Sequence, residues 1–362
     1  MLFVPNCYIR PYLRAVLYGI AAATAALLLA AVLSALLRVP ALRAGILDRR
    51  WQRPLPLFGG LAVVVVTCLV AWVGQKTRIA PLGDGVVRLL SAAAAVAVLG
   101  LVADVWRLRP RVLVAGTAVA AACVVPYGET GVWGGILALG WIVLASLAFK
   151  GLDHADGLAG TVGVVTAFGA GACAAAEVMD GLAVLLSVLA AALTGFLMHN
   201  WHPARIGLGA CGSLFTGFLL ASSVVFTRAG YAIGPSAAVM FCLTAVAVAD
   251  AVLVVLARAL ARRPLLRRGP DHLAHRLRRL GLTPAGSVVL LGAGSFSSVL
   301  VGVLVHTGWT GEGAALWVAG GVLFAVLVLL RIRVRIPVQT SREGVSTQVR
   351  GQVTSQLRVR NG

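Results

Sequence analysis

The sequence predicts an all-α, polytopic membrane protein of about eleven transmembrane helices, and three observations carry that prediction. Hydrophobic residues make up 60% of the 362, charged residues only 12%, and mean hydropathy is +0.95. A soluble domain is about a quarter charged, so a chain this apolar would leave large hydrophobic patches in water. The apolar residues are also gathered into runs of roughly 17 to 25, the length that crosses a bilayer as a helix, with some shorter runs accepted as tilted or interrupted helices. Finally, most basic residues lie between those runs rather than inside them.

The expected spans are 13–37, 58–74, 86–105, 111–126, 132–149, 158–179, 181–198, 213–227, 232–257, 286–305 and 314–330. The first is too long for a signal-peptide core and lacks a cleavage site, so it counts as a membrane helix. No hydrophilic block is long enough to build a second core. Residues 1–330 therefore form one membrane-embedded domain. Residues 331–362 mix arginines with Thr, Ser, Gln and Val and are expected to be a basic, disordered cytoplasmic tail drawn to anionic lipid.

Orientation follows from the Lys/Arg asymmetry. With the N-terminus out and the C-terminus in, 25 of the 31 basic residues fall on the inner side, and an odd number of spans is required. Asp84, Glu129, Glu177, Asp180 and Glu312 then fall on the outer side. The expected location is the plasma membrane, with the motif-bearing loops facing the cytoplasm. A net charge of +19 raises nucleic acid as a partner, but the charges sit in loops without interleaved aromatics. Membrane lipids and anionic soluble substrates are the expected partners, and nucleic acid is not. The six cysteines lack CxxC spacing and read as small buried packing residues rather than disulfides or a zinc site.

The stretch richest in chemistry is Lys150-Gly151-Leu152-Asp153-His154-Ala155-Asp156-Gly157-Leu158-Ala159-Gly160, between two apolar runs. Ionisable groups near a bilayer are costly and point to function, although at a helix end they can simply face water. Asp104 is followed by Arg107, Arg109 and Arg111, which also fits a solvated turn. In the loop from Asn200 to Leu214, glycines precede Ser213 at a helix start, a pattern that suits either an anion-binding nest or close packing. His272 and His275 share a helical face among arginines that suit a diphosphate. Two histidines without nearby thiols make a poor metal site, so phosphate contact or proton handling is the better reading. Gly59 and Gly60 let the second helix pack closely.

In this order and spacing the loops resemble the polyprenyl-phosphate N-acetylhexosamine-1-phosphate transferases. Asp153–Ala159 is similar to that family's DGxDGLA, Pro203–Leu214 to its PA(K/R)IFMGDxGSL, and His272–Leu277 to its HLHHRL. The resemblance runs from about Arg49 to Leu282. It implies transfer of a GlcNAc-1-phosphate or MurNAc-pentapeptide-1-phosphate unit from a UDP-amino sugar to a polyprenyl phosphate, with release of UMP, for cell-wall or surface glycan synthesis. It further implies Mg²⁺, a possible homodimer, Asp104, Asp153 and Asp156 as catalytic acids with Asp156 also at the metal, and Lys150, Ser213, His272, His275 and Arg276 on the substrates.

Several positions depart from the pattern. Ala103-Asp104 stands for an Asp-Asp pair, Lys150 for an Asn, Ala210 for the Asp expected to bind Mg²⁺, Ala274 for a His, and Gly269 for the Asp preceding the histidine motif. Three readings stay open on the sequence: a transferase in which Lys150 supplies part of the metal's charge, a catalytically degraded paralogue that binds lipid phosphate or a partner, and a transporter. Only Asp250 is placed to serve the last, which needs polar groups near the bilayer midplane.

Overall fold

The computed structural model of the chain describes residues 6–45, 47–48, 55–78, 81–106, 108–262 and 271–332; for 6–16 and Asp48 it describes backbone alone. Arg107, Gly269 and nearly all of the basic tail lie outside the described residues. Among those described, helix is the dominant structure. The order is α1 (Asn6–Arg43), β1 (Leu47–Asp48), β2 (Leu55–Pro56), α2 (Gly59–Lys76), α3 (Gly83–Trp106), α4 (Pro110–Val124), α5 (Tyr127–Leu152), α6 (Leu158–Ala176), α7 (Asp180–Asn200), α8 (Gly209–Thr227), α9 (Ile233–Leu260), α10 (Leu273–Arg279), α11 (Pro284–His306) and α12 (Ala314–Leu330). The two strands form a single antiparallel ladder with Leu47 opposite Pro56.

Each apolar run of the sequence is one helix. Among the described residues, nine helices are long and apolar enough to cross a membrane, and α4 and α12 are shorter apolar helices of 15 and 17 residues. The helix starts have local causes. Pro110 and Pro284 sit in the first turns of α4 and α11, where a missing N–H costs nothing, and Thr283 caps α11 by accepting from Gly286 N at 3.0 Å. Helix α5 is interrupted at Gly131 (φ 68), just before its apolar run begins at residue 132. The seven-residue α10 is too short and too basic to span, and lies between the ends of α9 and α11.

The eighth helix differs most from expectation. It begins at Gly209 rather than at 213, so the glycines expected in a loop form its first turn. It is buried along nearly its whole length and is the axis of the bundle, packed by α2, α3, α5 and α6. In lipid, helix association relies on close packing, and small residues permit it. A Cβ on Gly60 of α2 would lie 2.1 Å from Leu208 O and 2.3 Å from Gly212 N, and one on Gly100 of α3 would lie 2.5 Å from Ala210 O. The helices therefore touch backbone to backbone at the start of α8. Phe149, Phe215 and Phe218 fill the layer beyond.

Helix α1 packs on α7 and α2, α11 on α6 and α9, and α12 on α9. Their outer faces expose Leu28, Leu36, Phe296, Phe324 and Leu327, which suits contact with lipid chains. Trp106, Trp133, Trp309 and Trp317 are exposed at helix ends, the places where aromatic belts form. The five described cysteines are free. Cys173, Cys211 and Cys242 are buried as packing residues, while Cys68 is partly exposed and Cys123 faces outward, so the expectation of burial fails for these two.

Candidate functional site

The ends of α3, α5 and α7 meet the start of α8, and carboxylates cap that start. The first N–H groups of a helix have no partner within it, and the N-terminus carries partial positive charge. Here Gly209 N donates to Asp153 Oδ2 at 2.9 Å, Ala210 N to Asp104 Oδ1 at 2.9 Å, and Cys211 N to Asp104 Oδ2 at 3.0 Å. Two acids far apart in sequence thus converge on three successive N–H groups. Gly209 has φ 70 and a Cβ there would come within 2.7 Å of Asp104 Oδ2, so both conformation and space require glycine. This capping lets α8 begin four residues early, and the N–H groups that a phosphate nest would need at Gly209–Cys211 are already taken. Ser213, expected at a phosphate, is fully buried and donates to Gly209 O at 2.6 Å within its own helix.

A second set of bonds ties the loop after α5 to the loop after α7. Asn200 is buried; its Oδ1 accepts from Gly157 N at 2.9 Å and its Nδ2 donates to Ile206 O at 2.8 Å. Asp156 Oδ2 pairs with His202 Nδ1 at 2.8 Å and accepts from Ala204 N at 3.1 Å. Gly207 joins the loop before α2 to this group: its N donates to Pro56 O at 2.7 Å, and its O accepts from Gly59 N at 3.0 Å. A small cleft between these loops is lined by Leu55, Leu57, Asp153, Asp156, Asn200 and Gly207. Asn200→Ala is expected to leave Gly157 N and Ile206 O unpaired, a cost of about 2–6 kcal/mol. Hydrogen exchange should report it as faster exchange in 153–160 and 202–209, with the loops at the opposite ends of these helices unchanged.

The histidine motif docks beside the same loop. His272 Nδ1 bonds Asp250 Oδ2 at 2.8 Å, and Asp250 Oδ1 accepts from Leu273 N at 2.8 Å. Asp250, the candidate for a transporter site, is thus a buried anchor of the histidine motif. His154 stacks on His272, ring centroids 4.1 Å apart, and His275 lies 5.1 Å from His154. Burial, reinforced by the neighbouring His272, pushes His154 down to about 3 and His275 down to about 4, so both rings are neutral at pH 7. Arg276, expected on the diphosphate, is buried. It donates to Leu329 O at 2.6 Å, Ile332 O at 3.1 Å and Asp271 O at 3.1 Å, capping the end of α12. Asp271 in turn pairs with buried Arg258 at 3.3 Å.

The structure therefore gathers Asp104, Asp153 and Asp156 around the start of α8 and places His272 and His275 against His154. Lys150 lies in the last turn of α5, three residues before Asp153. Sequence reasoning missed Asn200, His202 and the role of His154. The signal for His154 was available, since it stands at the first glycine of the DGxDGLA pattern.

The Mg²⁺ implied by the resemblance does not fit these residues. Mg²⁺ takes near-octahedral oxygen coordination. Position 210 offers a methyl group, both Asp104 oxygens serve backbone N–H groups, and Asp153 Oδ2 does likewise. Asp156 Oδ1, without a hydrogen-bond partner among the described residues, is the oxygen left open there.

The profile described as Glycosyl transferase family 4 matches residues 86–228, from α3 through the end of α8. A Streptomyces coelicolor protein carrying a provisional glycosyltransferase name is 65% identical over 340 residues, covering 92% of this chain and 83% of its own. A Bacillus subtilis protein, named as a probable undecaprenyl-phosphate N-acetylglucosaminyl 1-phosphate transferase, is 24% identical over 84% of this chain and 88% of its own. The decaprenyl-phosphate N-acetylglucosaminephosphotransferase of Mycobacterium leprae is 28% identical over 66% of this chain and 70% of its own. The chain is a multi-pass membrane protein and belongs to glycosyl transferase family 4, the polyprenyl-phosphate sugar-1-phosphate transferases.

Proposed function

We propose that the protein transfers a sugar-1-phosphate from a UDP-amino sugar to a polyprenyl phosphate at the cytoplasmic face of the plasma membrane, with its N-terminus out and C-terminus in. The observation that carries this reading is the convergence of Asp104 and Asp153 on the start of α8, with Asp156 bonded to the loop that leads into it, where the ends of the odd-numbered helices α3, α5 and α7 meet. A phosphate oxygen of the lipid attacks the sugar-bearing phosphorus of the nucleotide sugar. The new P–O bond forms as the bond to the bridging oxygen breaks, and UMP leaves with the electron pair. Such a transfer needs alignment and charge neutralisation more than covalent help from the protein. Lys150, beside the acids in sequence, supplies positive charge, and the capped α8 holds the acids in register. Asp156 is the acid with an oxygen open to substrate.

The test is UMP release from UDP-GlcNAc or UDP-MurNAc-pentapeptide in the presence of undecaprenyl or decaprenyl phosphate. Asp156→Asn is expected to lower the rate about 100-fold, the usual scale for losing one electrostatic group. An unchanged rate in that variant would remove Asp156 from the mechanism.

Ala210 favours a second reading, a paralogue that binds lipid phosphate without turnover, because its methyl replaces the expected metal ligand and the neighbouring acids are committed to helix capping. The double variant Lys150→Asn with Ala210→Asp separates the two. If only the metal site has decayed, the double variant gains Mg²⁺-dependent UMP release that the wild-type chain lacks. If Lys150 already does the work, wild-type turnover is insensitive to chelator and the Lys150→Asn change lowers it.

A further inference from the structure

We propose that the groove between α3 and α4 is a binding site for a two-chain anionic phospholipid, held in the leaflet on the side of the membrane away from the acidic group at the start of α8. The proposal rests on the fold alone and does not require that the chain turn over a nucleotide sugar.

The groove follows from the sequence. Only residues 107–109 separate α3 from α4, so the two helices run antiparallel. Arg88, Ala92, Ala95 and Leu99 recur at steps of three and four along one face of α3, and Gly116, Ala120 and Cys123 do so on α4. Most of these side chains are small, so the facing stripes leave a furrow of about 520 Å³ between the helices. Val119 on its rim is exposed, so the furrow opens towards lipid rather than into the bundle.

Its length matches one leaflet. At one end the helices close on each other, since a Cβ added to Gly116 would lie 2.4 Å from Leu99 Cδ2. From Leu99 to Arg88 the rise of α3 carries the groove about 16 Å. The hydrocarbon core of a bilayer is about 30 Å thick, so a single leaflet is roughly 15 Å deep. An acyl chain of one leaflet therefore fills the groove with its headgroup beside Arg88. Arg88 also lies about 24 Å along α3 from Asp104. The acceptor phosphate of the proposed transfer must reach the acids, so the lipid held at Arg88 is a second lipid and not the acceptor.

Charge selects the headgroup. Arg88 stands at the mouth of the groove, in the second turn of α3. A cation at the edge of the hydrocarbon is costly unless it is paired or reaches the headgroup layer. Among the described residues Arg88 makes no ion pair, and Asp84, one turn earlier, does not bridge to it. A guanidinium meets a phosphate through two parallel N–H donors, which supplies the missing partner. A zwitterionic headgroup would bring its own cation against Arg88, whereas an anionic one brings none. The apolar furrow and the cation at its mouth together specify a negatively charged phospholipid.

The test titrates the full chain, purified in detergent, with phosphatidylglycerol or phosphatidylcholine of identical acyl chains, and counts bound lipid by native mass spectrometry. The wild-type chain is expected to hold one phosphatidylglycerol about 5-fold more tightly than phosphatidylcholine, the effect of one basic residue near a membrane surface. Arg88→Gln should abolish that preference. Lys76→Gln removes a basic residue from the end of α2, on the same side of the membrane but outside the groove, and should leave the preference unchanged. Ala95 is exposed on the groove wall, so the ring of Ala95→Phe occupies the furrow without entering the core. That variant should hold both lipids more weakly while eluting as the wild type does. Equal retention of the two lipids by the wild type needs no variant and would overturn the proposal. So would a preference that survives Arg88→Gln, one that falls equally in Lys76→Gln, or unchanged binding in Ala95→Phe.

Discussion

Asp104→Ala is expected to destabilise the start of α8 by about 2–7 kcal/mol, a large fraction of the roughly 5–15 kcal/mol by which a typical domain is stable. The change strands two buried N–H groups, those of Ala210 and Cys211, at about 1–3 kcal/mol each. It also removes a negative charge from the positive end of a buried helix, worth roughly a further 0.3–1 kcal/mol. Hydrogen exchange in 209–216 should accelerate and thermal aggregation in detergent should begin earlier. Asp104→Asn keeps one acceptor oxygen and should lose about half as much. An alanine variant as stable as the wild type would mean that the carboxylate is held for chemistry alone and does not build the helix.

Gly60→Ala is expected to be worse still. The added methyl would meet Leu208 O at 2.1 Å and Gly212 N at 2.3 Å, and neither is a flexible side-chain end that can swing aside. Overpacking costs about 1–3 kcal/mol where side chains can relax, and more where backbone must separate. Because α2 is joined through Gly59 and Pro56 to Gly207, pushing it outward also opens the cleft by Asp153 and Asp156. Folded yield and UMP release should fall together. Gly140→Ala on α5, whose added Cβ meets nothing within 4 Å, is the control and should be neutral or slightly stabilising. Equal behaviour of the two variants would contradict the backbone contact between α2 and α8.

The spans were legible because apolar length is a local property and lipid imposes it on every helix. The same holds for the glycine pair at the start of α2, whose close approach the structure displays. The start of α8 was not legible. Gly209–Gly212 looks like a loop until Asp104 and Asp153, remote in sequence, supply the acceptors that make it a helix. Arg276 shows the opposite error. An arginine beside a histidine motif reads as a phosphate ligand, yet its donors go to the carbonyls that end α12, a helix about fifty residues later. Asp250 read as an isolated intramembrane acid because its partner, His272, follows a loop of arginines. Single motifs thus marked the loops that carry the candidate residues, whereas the pairings that decide each residue's surroundings are long-range and come only with the fold.

The central claim is that this chain, despite Ala210, moves a sugar-1-phosphate onto a lipid phosphate. The most direct measurement follows UMP and the lipid-linked product together, using purified protein, UDP-GlcNAc or UDP-MurNAc-pentapeptide, and decaprenyl or undecaprenyl phosphate. The account predicts UMP and lipid product in equal amounts, dependent on the lipid phosphate and lost in Asp156→Asn. Lipid-phosphate binding without UMP from either nucleotide sugar would contradict it.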